Sequence, residues 1–285
     1  MKFANSIVRI AAVLLCTFGF ATASFAGSGI SDPHGLAVDA AGNLWVANTG
    51  LNNILKFNSN YVLQPQATIT AGVTLPTGVA LDPSGNLWVA NFLSNNGFGS
   101  ISMYTNGKQN TNATITNGII SPYAIAIDGM GNIWVSNDGN TITAYAIPAP
   151  NALPTNLIAT LSFPGFAVYG ITVSGQALVW GTNANGTIVS APQTVLQVGI
   201  LSGFTDPFDT GNTLATAANG NVYVGNFDGS VSLLTPTFSS HFLQLDFVPF
   251  GIAIDNARGR IYFSDDVNNT IAVYSTSGTL LNVIQ

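Results

Sequence analysis

Few side chains in this sequence can do chemistry. It carries two histidines, His34 and His241, one cysteine, Cys16, and twelve acidic residues, every one an aspartate. His34 stands in "PHGLAVD" and His241 in "SSHFLQL". The second motif reads as an outermost strand, too far from His34 to share a site with it. A zinc centre takes three or four nitrogen, sulfur or carboxylate ligands, and the histidines offer one at a time. No Ser-His-Asp arrangement is readable with only these two bases, and no glycine loop of the phosphate-binding kind leads from a strand into a helix. Asp265 and Asp266, with Asn268 and Asn269 nearby, offer oxygens of the kind calcium takes, or form a hydrated turn.

Two recurring columns are better suited to contact than to catalysis. One is the middle residue of a Pro-x-Gly-like motif: His34, Thr77, Tyr123, Tyr169 and Phe250, with Phe208 as the expected fifth-unit member. Its members vary from unit to unit, and aromatic faces with scattered amides suit sugars, small apolar molecules or a peptide. The other column is Asn48, Asn91, Asn137, Asn183, Asn226 and Asp265. Amides repeated around a channel would form a ring of donors and acceptors, although asparagine also bonds local backbone in tight turns.

These columns are placed by a repeat. "GNLWVAN" occurs at 42–48 and again at 85–91, followed by "GNIWVSN", "ALVWGTN", "GNVYVGN" and "GRIYFSD". All four tryptophans, Trp45, Trp88, Trp134 and Trp180, fall in one column that Tyr223 and Tyr262 complete, with gaps of 43, 46, 46, 43 and 39 residues. Such a period belongs to propeller blades. Each unit reads as a short strand, an Asp-x-x-Gly-Asn turn and a returning strand through the tryptophan. Further apolar runs follow, in the first unit Ile54 to Phe57 and Ala67 to Ile69, giving four strands per unit. The returning strands are apolar at successive residues, as when both faces are covered, so each sheet must stack on neighbours. Radial stacking leaves only short protected edges. The expected fold is all-β: a six-bladed β-propeller of four-stranded antiparallel blades over 27–285, with the tryptophans wedged between blades.

The pattern Pro-x-Gly-φ-Ala-φ-Asp-x-x-Gly-Asn-φ-Trp/Tyr-Val resembles the NHL-repeat family of six-bladed propellers over essentially the whole of 27–285. The resemblance implies that the first strand of each unit is innermost, and that both columns converge at one mouth of the channel. Related propellers include ligand-binding scaffolds, lactonases, streptogramin lyases and peptide α-amidating lyases, so function rests on the site. The amidating lyases gather zinc ligands from several Pro-His repeats, and this chain has one. Gluconolactonase-like propellers bind their metal with a glutamate, and streptogramin lyases need one near a catalytic histidine; this chain has none.

Residues 1–26 read as a cleaved signal peptide: Lys2 and Arg9 precede an apolar run from Ile10 to Phe20, shorter than the ~18 residues of a spanning helix. Leu14 and Leu15 precede Cys16 where a lipoprotein signal has a small residue, so no stable membrane anchor is expected. Without 1–26 the chain holds no thiol, and four bases stand against twelve acids, a net charge of −8. Such a surface suits neither nucleic acid nor anionic membrane. A chain of this length buries about 70 to 75% of its unfolded surface, enough for a core without disulfides. The expected protein is secreted or periplasmic and non-catalytic, without a cofactor, and binds a small molecule, glycan or protein partner at the channel mouth. The alternative is a metal-dependent lactonase or lyase using His34 with Asp and Asn ligands.

Overall fold

The computed structural model describes residues 29–94, 96–138, 140–146, 156–162, 168–174, 178–182, 187–192, 202–205, 211–235 and 239–285. The expected signal peptide and the candidate residues Asn183 and Phe208 lie outside these. The described chain is all-β, with two single 3-10 turns and 23 strands.

The strands follow one another sheet by sheet. The first sheet holds β1 (Pro33–Val38), β2 (Leu44–Asn48) and β3 (Asn53–Phe57); the second β4 (Pro76–Leu81), β5 (Leu87–Asn91), β6 (Ser100–Thr105) and β7 (Lys108–Ile115). The third holds β8 (Pro122–Ile127), β9 (Ile133–Asn137), β10 (Thr141–Ala146) and β11 (Asn156–Ser162); the fourth β12 (Ile171–Ser174), β13 (Leu178–Thr182), β14 (Thr187–Pro192) and β15 (Ser202–Thr205). The fifth holds β16 (Gly211–Thr216), β17 (Val222–Asn226), β18 (Ser230–Leu234) and β19 (Ser239–Gln244); the last β20 (Ile252–Asp255), β21 (Arg260–Asp265), β22 (Thr270–Ser275) and β23 (Leu280–Ile284). All pairings are antiparallel between consecutive strands. The first strands touch in a cycle, β1 meeting both β4 and β20. This is a β-propeller.

Five of the sheets are four-stranded blades, which corrects the expectation of six. In the first unit the run from Ala67 to Ile69 does not extend the sheet. It opens on a 3-10 turn at Pro65–Ala67 and keeps only the bridge Ile54↔Ile69. Pro65 cannot donate to a ladder, and one pair cannot hold a strand.

The turn joining the first two strands explains much of the repeat. In the second sheet Gly85 N–H bonds to Asp82 O (2.8 Å), and Gly85 has φ +81°, a conformation that costs glycine nothing. The Asp82 carboxylate accepts from Ser84 N, Asn86 N, Asn86 Nδ2 and Trp88 Nε1. Asp39 holds Trp45, and Asp128 holds Trp134, in the same way. The aspartate thus caps the turn and fixes the indole that fills the seam.

Five members of the tryptophan column pack toward the following sheet. Trp88 lies among Ile125, Ile133 and Val135, Trp134 against Val168 and Ile171, Tyr223 among Ile252, Ile261 and Phe263, and Tyr262 among Leu36, Leu44 and Val46. Trp45 is partly exposed, packs on the Val79 and Val89 cluster, and is covered by Lys56 at 4.6 Å. Near the axis the first strands approach so closely that a Cβ on Gly35 would stand 2.6 Å from Gly78 Cα. The Pro-x-Gly glycine is there for this contact.

Candidate functional site

Strand register aligns the mouth positions. Leu36 pairs with Val46, Val79 with Val89, Ile125 with Val135, Ile171 with Gly181, Leu214 with Val224 and Ile252 with Phe263. Two residues before each stand His34, Thr77, Tyr123, Tyr169, Asn212 and Phe250. The fifth-unit member is therefore Asn212, where Phe208 was expected. Gly211 takes the proline's place opposite Asn226, and a bulge follows it as one follows Pro76 and Pro122.

These six positions divide by chemistry. Thr77 Oγ1 donates to Pro122 O (2.7 Å) and the buried Asn212 Nδ2 to Pro249 O (2.8 Å), so each small polar side chain latches its sheet to the next. The ring-bearing members do otherwise. Tyr123 and Tyr169 are partly exposed and meet edge to face, with centroids 5.2 Å apart. Phe92 lies 5.6 Å from Tyr123 on one side, and Phe227 lies 5.9 Å from Tyr169 on the other. Four partly exposed rings from the second to the fifth sheet form one continuous arc. On the far side His34 stacks on Phe250, with centroids 4.9 Å apart and planes at 20°.

The strand-end column turns inward. Asn48, Asn91, Asn137 and Asn226 are at most 1% exposed. Three of their oxygens serve the blades: Asn48 Oδ1 accepts from Ser31 N, Asn91 Oδ1 from Thr74 N and Asn137 Oδ1 from Ile120 N. Asn91 Nδ2 donates to Ser102 Oγ, Asn137 Nδ2 to Thr143 Oγ1, and Asn226 Nδ2 to Ser230 and Ser232. Asp265 is buried too, its carboxylate accepting from Val267 N, Asn268 N and Asn268 Nδ2. Among the described residues these side chains tie the strand ends to the blades beneath the mouth.

The residue after each strand end contributes to the mouth instead. Thr49, Phe92, Asp138, Phe227 and Asp266 occupy this place among the described residues, and Thr49 Oγ1 latches to Pro76 O (2.6 Å). Sequence reasoning passed over Phe92, Asp138 and Phe227. The available signal was variation at the position following a constant asparagine.

Electrostatics differ across the mouth. Burial pushes the Tyr123 phenol well above its ordinary value, and the Asp138 carboxylate and Tyr169 push it further. Tyr169 is raised by burial and again by Asp138. Asp138 therefore projects negative potential onto the arc. On the far side His34 Nε2 lies 3.2 Å from Asp32 Oδ1, and Asp32, His34 and Asp266 bring one ligand atom each within 4.8 Å of one another. One imidazole and two carboxylates fit a divalent cation in donor type. They do not reproduce a glutamate-bearing set. His241 lies on β19, the outermost strand of the fifth sheet, apart from the mouth.

No protein-family model matches the chain, nor does any curated protein sequence. Solved structures match its fold. A streptogramin B lyase superposes with a TM-score of 0.65 at 18% identity, over 92% of this chain and 85% of that one. A catalytically inactive virginiamycin B lyase from Staphylococcus aureus with quinupristin gives 0.63 at 16%, over 90% and 85%. A chain of a nidogen/laminin complex gives 0.66 at 15%, over 85% and 93%. At such identities the likeness concerns fold alone.

Proposed function

We propose that the protein is an exported propeller of the NHL-repeat type that binds rather than catalyses, taking a small molecule, glycan or protein partner at the mouth lined by Phe92, Tyr123, Tyr169 and Phe227. The arc of partly exposed rings carries this reading. Buried aromatic surface is favourable, and rings left partly open at the mouth supply apolar contact to a ligand. The three-stranded sheet, lying between the second and last sheets in the cycle, supports counting it as the sixth blade. The basic and apolar pattern of 1–26 supports export.

The test is a thermal-shift screen of sugars, amines and short peptides, with and without divalent ions. A hit should lose its shift in Tyr123→Ala, whose own melting temperature stays close to that of the parent. A large drop in that melting temperature would reassign Tyr123 to the core.

The second reading is a metal-dependent lyase or lactonase. It draws on the Asp32, His34 and Asp266 cluster and on the lyases among the structures of like fold. Metal analysis of protein purified without chelator separates the two. Stoichiometric metal that is lost in His34→Ala would favour the enzyme.

A further inference from the structure

Charge is divided between the two ends of the propeller, and the division says what the mouth would take. All four described lysines and arginines lie at the turns away from the mouth. Lys56, near the end of β3, reaches Asp39 (3.7 Å), and Lys108 sits at the turn between β6 and β7. At the β20 to β21 turn Arg258 pairs with Asp255 (3.2 Å) and donates to Ala41 O, while the neighbouring Arg260 donates to Ser59 O. The acids at that end are Asp39, Asp82, Asp128 and Asp255, one for each base. The other six described acids, Asp32, Asp138, Asp228, Asp246, Asp265 and Asp266, lie at the mouth or in the connections leading to it. No described lysine or arginine joins them; the one imidazole there, His34, lies 3.2 Å from Asp32. The mouth end therefore carries the whole net charge of the described chain.

Aromatic surface and an excess of carboxylates over cationic side chains together select a ligand that neither selects alone. A ring face carries negative charge and attracts a cation laid against it. A concave site lined by one sign of charge concentrates the opposite sign. A neutral sugar would use the rings but leave the carboxylates unanswered; an anion would be repelled. We propose that the mouth binds a small organic cation, an amine or quaternary ammonium compound, with its charged head against Tyr123 and Tyr169 and within the field of Asp138. This rests on the reading of the mouth as a binding site and narrows it.

The test titrates the intact protein with choline and with 3,3-dimethylbutan-1-ol, its uncharged carbon counterpart, by calorimetry and saturation-transfer NMR. Choline should bind at least tenfold more tightly than the alcohol. Asp138→Asn should weaken choline severalfold; its side chain is exposed, and circular dichroism verifies an unchanged fold. Raising the salt should weaken choline further and leave the alcohol unaffected. Equal binding of the two probes, lost in Phe92→Leu, would overturn the cationic preference and keep the aromatic mouth. Absence of binding by choline overturns this proposal, and a screen that also finds no other mouth ligand overturns the underlying reading with it.

Discussion

At the turn end of the propeller one motif is repeated with little change, whereas at the mouth nearly every position differs from blade to blade. The turn-end aspartates each collect several hydrogen bonds from the next few residues. Asp128 accepts from Met130 N, Asn132 N, Asn132 Nδ2 and Trp134 Nε1, and is only 3% exposed. Asp138, ten residues later at the mouth, is exposed, and its field falls on two tyrosines whose rings stand partly open. The same residue type holds the fold together at one end and is left to meet something else at the other. The difference shows how a repeat protein separates stability from recognition: the column that must fit a neighbouring blade is fixed, and the column that meets solvent is free to vary.

The comparison breaks most severely if seam and turn residues prove dispensable. Trp88, fully buried and held by Asp82, should lose about 3 to 5 kcal/mol of stability when changed to Ala, measured by urea unfolding. Asp128→Ala strips an acceptor from four donors and should cost about 3 kcal/mol in the same assay.

A third test uses pH. Burial raises the Tyr104 phenol from 10.0 to about 12, the nearby Ser102 hydroxyl pulling the other way. Because the folded value lies above the unfolded one, this contribution is complete below pH 10 and is lost as pH rises toward 12. Unfolding free energies between pH 9 and about 12 should fall, and Tyr104→Phe should flatten that fall. The smallest effects belong to the mouth. Asp138→Asn and Phe92→Leu should each stay within about 0.5 kcal/mol of the parent, and a loss as large as that of Asp128→Ala would erase the distinction between the two ends.

What the sequence made legible was what repeats. The tryptophan column, the Asp-x-x-Gly-Asn turn and the seams follow from residues a few positions apart, so their physics is local and visible in each copy. The mouth was legible only in part. His34, Tyr123, Tyr169 and Phe250 were found because a proline or glycine frames them. Asn212 was missed because the fifth unit lacks the proline, and only the strand register reveals its place. Phe92 and Phe227 were missed because the asparagine before them drew the attention, although those amides turned out to be spent on Thr74 N and on two serines. The short first sheet was hidden for another reason: Ala67 to Ile69 has the composition of a strand, and the Pro65 turn that pre-empts it lies just upstream.

Among the described residues every sheet is made from a contiguous stretch of chain, and the first and last sheets meet with no strand exchanged between them. Asp32 N–H reaches Asn269 Oδ1, and Ile30 packs into the cluster that holds Ile284. Joining the two ends and reopening the chain between any other pair of sheets would leave every ladder intact, so a circular permutant should fold to the same ring. The unit a genetic duplication copies is also the unit that closes a circle, and a lineage of such chains can vary one blade's rim while inheriting the others unaltered.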